Sequence, residues 1–323
     1  MHDERALTVG ISVSLTGQYA RQGNEAFCGA TLWAEQYGAQ LFHYDDESRP
    51  DRAADNARRL LERDGVSILF GPYSSGLARR IAAVAERHGR VMWNHGGSAD
   101  DIAGPFVVST PAPASRYFRG LPTWLLGNAP GARVITILQS PRGSFAALVA
   151  RGLREEAERC GFSVKILALG AALPPESQVL VLAASFEPEL EVIRARPNAR
   201  ILCSVAAGLR SFGDELGPLA EGIIGPSQWE PDPRSERFVR SFQQRFGRPP
   251  EYVAASAYAM GLVLQECIRR SGAGDDRRLR QTAAELDFET FFGRFRIEPE
   301  SGRQLGHDIT LIRWEHLQKV PLR

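Results

Sequence analysis

The feature that most constrains this chain is a repeated alternation of short apolar runs with helix-length amphipathic segments. Residues 8–15 place an apolar side chain at every second position, and a turn-like stretch separates them from a helical pattern that ends near Tyr37. The same order of strand, loop and helix recurs over residues 40–65 and 66–89, and a further strand is expected at 91–93. Such alternation implies parallel strands with right-handed crossovers, so the first 110 or so residues predict a doubly wound sheet.

The pattern restarts after residue 133 and predicts a second lobe of similar design. Strands are expected at 134–138, 162–169, 179–183 and 201–205, with helices at 145–160 and from Glu189. Three longer helical patterns, at 235–246, 252–270 and 276–286, precede extended segments at 295–297 and 309–314. The predicted fold class is therefore α/β, with two Rossmann-like doubly wound lobes.

Charge and hydropathy argue against two classes of partner. The chain has 39 basic and 38 acidic side chains, a formal net charge of +1, so no summed field draws it to nucleic acid or to an anionic membrane. The longest apolar runs, such as 179–184, are far shorter than the roughly 18 residues that a membrane span requires. We therefore expect no nucleic-acid partner and no direct membrane insertion.

The first residues and the cysteines bear on the compartment. Residues 1–5 lack the basic start and the apolar run of a secretory signal, so the chain is expected to be either a mature form or a cytoplasmic protein. The four cysteines are far apart, form no C-x-x-C pair and have no histidine at metal-ligand spacing. They are interpreted as buried thiols, and no metal site is predicted.

The common enzyme motifs are incomplete in this sequence or absent from it. Residues 71–76 form a G-x-x-x-x-G loop, but Leu77 and Ala78 stand where a P-loop needs lysine and a hydroxyl residue. The chain also lacks G-x-G-x-x-G after the first strand, H-E-x-x-H and the G-x-S-x-G elbow. No catalytic residue and no cofactor is predicted. His88 lies on an apolar helical stripe and is interpreted as structural, whereas His95 fits either a loop or a pocket wall.

Two loops have the position expected of a ligand site, because ligands of open α/β sheets bind at the carboxyl ends of strands. After the third strand, Ser74, Ser75 and Gly76 combine hydroxyl groups with a helix N-terminus, which suits a carboxylate; a plain helix cap is the alternative. After the fourth strand, residues 94–100 contain two glycines that let the backbone approach a ligand, and a cap for a short turn is the alternative.

Several motifs, taken in order, carry a family resemblance. They are G-x-S-x-S-L-T-G with Y-A-x-Q-G over 10–23, Y-D-D at 44–46, G-P-Y-S-S-G at 71–76, and G-R-F-R-I with S-G-R-Q-x-G-H over 293–307. Together they resemble the branched-chain amino acid and amide class of type I periplasmic solute-binding proteins of ABC importers, the leucine-binding-protein-like family. The resemblance runs from Val9 to about Trp314.

This resemblance implies an architecture and a function. Lobe one would comprise residues 1–117 and 247–297, and lobe two residues 118–246 and 298–323, joined by three hinge crossings. The lobes would close on an amino acid, an amide or a small carboxylate in the cleft, without catalysis, and pass it to an ABC permease. Family members act in the periplasm or cell envelope. The alternative is a cytoplasmic sensor of the amide type that passes closure to a regulator, which the absence of a signal peptide from this chain favours.

The resemblance also implies ligand-binding residues in each lobe. In lobe one, Ser75 would hold the ligand carboxylate, together with backbone N–H groups around Ser74 and Gly76. A carbonyl and a hydroxyl of the segment Gly96, Gly97 and Ser98 would hold the ligand ammonium. Tyr19 and Gln22 would lie at the edge of the pocket, and Tyr252 at its rim. Three aromatic residues of lobe two would form a lid, with packing in the core as the alternative: Phe145, Phe186 and Trp229.

One position departs from the family pattern. Amino-acid-binding members carry an acidic residue just after the strand at 201–205, where this chain has Val205. A buried ammonium without a counter-charge costs several kcal/mol, so Val205 favours an acid or amide ligand over an α-amino acid. Glu187, on a neighbouring loop, is the residue that would balance an ammonium if a branched-chain amino acid were bound.

Overall fold

The computed structural model describes residues 7–272 and 275–322, and the prediction made for residues 1–5 lies outside them. Helices and strands alternate along most of the described chain. The helices are α1 (Ala20–Tyr37), α2 (Pro50–Arg58), α3 (Ser75–Arg87), α4 (Leu121–Asn128), α5 (Ser144–Arg159), α6 (Phe186–Arg194), α7 (Arg210–Leu216), α8 (Glu236–Phe246), α9 (Tyr252–Ser271) and α10 (Asp276–Glu285). The strands are β1 (Thr8–Val13), β2 (Gln40–Asp45), β3 (Ile68–Phe70), β4 (Met92–Asn94), β5 (Val107–Ser109), β6 (Val134–Gln139), β7 (Ser163–Ala168), β8 (Val179–Ala183), β9 (Ile201–Ser204), β10 (Ile224–Ser227), β11 (Phe288–Thr290), β12 (Gly293–Phe295), β13 (Thr310–Glu315) and β14 (Gln318–Pro321).

The chain divides into two compact units. Unit 1 comprises Met1–Pro111 and Pro231–His307, and unit 2 comprises Ala112–Glu230 and Asp308–Arg323. The lobe boundaries that the family resemblance implies lie after residues 117, 246 and 297 instead. Local contacts accompany the differences: Arg245 of α8 pairs with Glu35 of α1 at 2.9 Å, and the Ser109 N–H donates to the Gly302 carbonyl at 3.0 Å.

Unit 1 is built on a five-stranded parallel sheet in the order β2-β1-β3-β4-β5. Its core contains the fully buried side chains of Trp33, Phe70 and Trp93. Helices α1 and α9 pack closely, since a Cβ on Gly29 would lie 2.1 Å from the Ala254 carbonyl oxygen. The strand order and the parallel pairing agree with the predicted doubly wound lobe. Strand β5, which the periodicity did not predict, completes the sheet.

Unit 2 contains a seven-stranded sheet in the order β14-β13-β10-β9-β8-β6-β7. The five strands β6, β7, β8, β9 and β10 are parallel, and β13 and β14 add an antiparallel edge. Strand β10 was not predicted because its sequence, I-G-P-S, holds a glycine and a proline, residues that interrupt an apolar run. Both units are thus doubly wound α/β structures.

Residues 7–272 and 275–322 contain neither a membrane-spanning helix nor a cluster of metal ligands. None of the helices there combines the length and the apolar character needed to cross a bilayer. The same residues hold no group of three or more histidine, cysteine or acidic side chains placed to bind a metal ion.

Candidate functional site

The carboxyl ends of the unit 1 strands meet at one edge of the sheet, because all five strands are parallel. The loops there carry most of the predicted lobe-one residues. The Tyr19 ring contacts the Tyr73 ring edge to face, with centroids 6.1 Å apart. Tyr73 in turn forms a parallel bridge with Gly96. The structure therefore brings the loops after β1, β3 and β4 together.

The loop after β3 places two serines at the start of α3. Ser74 has a φ of +81° and a ψ of 129°, a strained conformation for a residue other than glycine. The Ser74 side chain makes no capping hydrogen bond at the N-terminus of α3, so the plain helix-cap alternative does not hold for Ser74. The Ser75 hydroxyl accepts the Ala99 N–H at 3.0 Å and keeps its own hydrogen to donate. Hydrogen-bond donors and a positive helix end are therefore collected at one place.

The loop after β4 is held by Asn94, a residue that the sequence did not single out. The Asn94 side chain accepts the Gly97 N–H at 2.8 Å and donates to the Gly97 carbonyl at 2.7 Å. Neither glycine has room for a side chain: a Cβ on Gly96 would lie 2.7 Å from Tyr73 Cα, and one on Gly97 would lie 2.6 Å from Ala78 Cβ. Ser98, the third predicted residue of this loop, is buried. Both glycines are thus required by packing.

A buried carboxyl supports the loop that carries Tyr19. Asp46 is fully buried and accepts hydrogen bonds from the Ser14 hydroxyl at 2.5 Å and from the Ser48 N–H at 2.9 Å. Ser48, at a φ of +59°, accepts the Tyr19 N–H on its hydroxyl at 3.0 Å. Burial raises the pKa of Asp46, while these hydrogen bonds oppose the shift. Tyr19 is therefore positioned by a chain of contacts that begins at the Y-D-D motif.

Gln22 and Tyr252 lie on helices beside these loops. Gln22 is buried in the first turn of α1, and Tyr252 is half-buried at the start of α9. One helical turn later, the Ser256 hydroxyl donates to the His95 carbonyl at 2.7 Å, so α9 is tied to the loop after β4. His95 itself is buried, and that burial lowers the pKa of its imidazole to about 4. His95 therefore lies in the loop with its side chain turned into the interior of unit 1.

Unit 2 gathers its predicted residues at the carboxyl edge of its own parallel strands. Phe145 follows β6, Phe186 follows β8 and Trp229 follows β10. Phe145 is half-buried and contacts the Tyr117 ring edge to face at 5.2 Å, whereas Trp229 is buried. Val205 follows β9 on the same edge and is half-buried. Ligand contact by the three aromatic residues stays a prediction.

A buried acid, Glu189, lies at this edge of unit 2. The sequence pattern predicted that a helix begins at this residue. Helix α6 begins at Phe186 instead, and Glu189 in its first turn is fully buried. Its carboxyl accepts the Ala184 N–H at 2.5 Å, the Ser204 hydroxyl at 2.5 Å and the Ala206 N–H at 2.9 Å. Burial raises the pKa of Glu189 to about 8. Glu187, by contrast, is exposed.

The remaining predictions concern residues away from the loop edges. His88 bonds Val84 O and Glu62 Oε1, both at 2.8 Å, in agreement with a structural role. All four cysteines are free thiols. Only Cys203 and Cys267 are buried, so the prediction of buried thiols is wrong for Cys28 and Cys160. The partial exposure of Cys28 follows from its position beside exposed Arg248, whose Nη2 lies 3.9 Å from the sulfur.

Comparison with known sequences gives a match to one family. The profile of the family described as periplasmic binding protein matches residues 6–195 and 199–319. The match covers nearly the whole chain and includes all of the loops described above.

Solved structures share the fold at low sequence identity. A leucine-binding protein of Thermotoga maritima has a TM-score of 0.85 at 16% identity, with 98% of each chain covered. A branched-chain amino acid transporter substrate-binding protein of Streptococcus pneumoniae, solved with isoleucine, has a TM-score of 0.82 at 14% identity, covering 98% of this chain and 100% of that one. A solute-binding protein of an ABC transporter from R. palustris, solved with benzoate, has a TM-score of 0.80 at 18% identity, covering 98% and 96%.

Proposed function

Because this chain belongs to the periplasmic binding protein family, we propose that it is the solute-binding component of an ABC importer and that its ligand is a small carboxylate without an α-ammonium group. Each unit supplies ligand contacts from the carboxyl edge of its own sheet. The protein works in the periplasm and delivers the ligand to a permease. Binding involves no covalent chemistry.

The observation that carries this proposal is the N-terminus of α3. Ser74 holds a strained backbone there, its side chain does not cap the helix, and the Ser75 hydroxyl lies beside the helix end. Backbone strain is commonly retained where function requires it. An anionic group at this point gains from the N–H donors and from the helix dipole. The ligand carboxylate is therefore assigned to Ser75 and to the N–H groups around Ser74 and Gly76.

The preference against an ammonium group rests on the acceptors near the site. The buried acid at the carboxyl edge of unit 2, Glu189, is fully buried and already has three donors of its own. Val205 adds an apolar side chain at the end of β9. An ammonium that loses water needs acceptors and a counter-charge in return. A branched aliphatic or aromatic acid needs neither, and apolar side chains suit it.

A thermal-shift screen with matched ligand pairs tests the ligand class. Leucine is compared with 4-methylpentanoate, phenylalanine with 3-phenylpropanoate, and benzoate is added alone. A ligand at about 100 times its Kd adds about 2.7 kcal/mol to stability, which raises Tm by several degrees. We expect the acids without nitrogen to give the larger shifts. Larger shifts with leucine or phenylalanine, abolished by Glu187→Gln, would mean that Glu187 balances the ammonium.

Substitution of Ser75 tests the anchor. Ser75→Ala removes a donor to the ligand carboxylate, so its binding free energy should weaken by about 1.5 to 3 kcal/mol, the range for a hydrogen bond to a charged group. Ser75→Thr keeps the hydroxyl and should retain most of the affinity. Titration calorimetry with the best acid from the screen measures both variants. Equal affinity of Ser75→Ala and the unmodified protein would refute the anchor.

A further inference from the structure

We propose that Glu189 is a positioning residue that holds the two ligand-facing loops of unit 2, those after β8 and β9, in their binding conformation. Positioning here means that its side chain acts through the loop backbones and does not touch the ligand. The proposal rests on the proposed function for the role of the loops, but the attachment of the loops to Glu189 is independent of it.

The contacts of Glu189 are divided between the two loops. One carboxyl oxygen, Oε1, accepts the N–H of Ala184, which lies just after β8. The other, Oε2, accepts the Ser204 hydroxyl and the Ala206 N–H, which flank Val205 after β9. The Glu189 side chain therefore joins Ala184, which precedes Ser185 and Phe186, to the two residues on either side of Val205.

The surroundings of Glu189 make this attachment unusual for a structural acid. The carboxyl is fully buried, and none of the cations in the described part of the chain acts on its pKa. The next residue on α6, Leu190, belongs to a buried apolar cluster that includes Leu182 and Phe212. A buried carboxyl without a cation is costly unless its hydrogen bonds are complete. An apolar residue would pack here at lower cost, so the gain from Glu189 lies in the geometry that its two oxygens impose on the loops.

The same arrangement occurs in unit 1, which supports a common purpose. Asp46 is also fully buried at the carboxyl edge, and it binds the Ser14 hydroxyl and the Ser48 N–H, one group on each of two neighbouring loops. Each unit thus uses one buried acid, serine hydroxyls and backbone N–H groups to fix adjacent loops. The chemistry repeats although the residues come from different elements.

The first test needs no ligand. Hydrogen exchange followed by mass spectrometry is measured on the ligand-free protein and on Glu189→Gln, in which an amide NH₂ would oppose the Ala206 N–H or the Ala184 N–H. We expect faster exchange at residues 184–187 and 204–209 and little change in unit 1. Ser204→Ala removes a single hydrogen bond and should give a smaller change in the same loops, which covers the case in which Glu189→Gln fails to fold. Unchanged exchange in both variants would overturn the proposal.

The second test separates positioning from stability. With benzoate or the best acid from the screen, Glu189→Gln should weaken binding about three- to thirtyfold, measured well below Tm where the variant is folded. Ile193→Val, a buried change on the same helix, should lower Tm and leave the Kd unchanged. Equal affinity of Glu189→Gln and the unmodified protein would overturn the positioning role. If the unmodified protein binds none of the acids, the proposed function fails, and the exchange experiment alone decides the attachment of the loops.

Discussion

At the scale of single residues, two buried acids link the stability of the fold to pH. Burial raises the pKa of Glu189 to about 8 and that of Glu25 to about 7, where Arg248 opposes the shift for Glu25. In the unfolded chain both carboxyls return to the ordinary value of 4.5. Between these values the folded protein binds more protons than the unfolded one. Its stability must therefore fall as the pH rises through this range.

The pH dependence of stability isolates the contribution of the Glu189 carboxyl to the free energy of unfolding. Because its pKa is raised in the folded protein, this contribution is greatest below pH 4.5 and is lost by about pH 8. Glu189→Gln carries no titrating group, so it should flatten the curve by about 1.4 kcal/mol per pH unit within that range. Urea unfolding at several pH values measures it. The exposed control, Glu187→Gln, should leave the slope as it was; an equal slope in Glu189→Gln would show that its carboxyl is already ionised.

The residues of the candidate site were predictable to different degrees. Ser74, Ser75, Gly96 and Gly97 stand in short motifs that directly follow apolar strands, so their position at a strand end could be read from the sequence. Glu189 could not be identified in this way. Its partner Ser204 is 15 residues away, and only the pairing of β8 with β9 brings the two together. Local patterns carry no information about such a contact.

At the scale of elements, periodicity predicted the regular parts and missed those that tertiary contacts impose. Strands β1 and β8 and helices α1 and α9 lie within a residue or two of their predicted bounds, because their apolar spacing is uninterrupted. Strand β10 was missed because Pro226 breaks the pattern, yet it is held by pairing with β13 on one side and β9 on the other. Neighbouring strands, not local propensity, make that segment extended.

The contact between α1 and α9 gives a prediction at this scale. A Cβ on Gly29 would lie 2.1 Å from the Ala254 carbonyl oxygen, so Gly29→Ala must push the helices apart and should cost about 1–3 kcal/mol of unfolding free energy or more. Gly127→Ala is the matched control: that glycine is also helical, with nothing within 4 Å of the added Cβ. It should be neutral or stabilising by up to about 1 kcal/mol. Chemical denaturation compares them, and equal stability of the two variants would contradict the close packing.

At the scale of the whole molecule, the chain passes between the units three times, at Pro111–Ala112, Glu230–Pro231 and His307–Asp308. A buried glutamine in each unit binds the backbone beside these crossings. In unit 1, Gln304 accepts the Gly306 N–H at 2.8 Å and donates to the Thr110 carbonyl at 3.0 Å. In unit 2, Gln228 accepts the Ala112 N–H at 3.0 Å and donates to the Tyr117 hydroxyl at 3.1 Å. The first crossing is thus fixed on both sides of Pro111.

Replacement of either glutamine should therefore destabilise its own unit and weaken the hydrogen bonds of the backbone beside the crossings. Gln304→Leu leaves the Thr110 carbonyl and the N–H groups that Gln304 accepts without partners, so we expect a loss of about 1–3 kcal/mol in unfolding free energy. Exposed Gln281→Leu serves as the control and should change stability by no more than about 0.5 kcal/mol. Hydrogen exchange locates the effect. Gln304→Leu should speed exchange at Gly306 and at Arg296, whose N–H also donates to Gln304 Oε1, at 3.2 Å, and Gln228→Leu should speed exchange at Ala112. Protection retained at these amides would mean that the backbone holds the crossings without the glutamines. Loss confined to the expected amides would show that each unit fixes its own ends of the connecting segments.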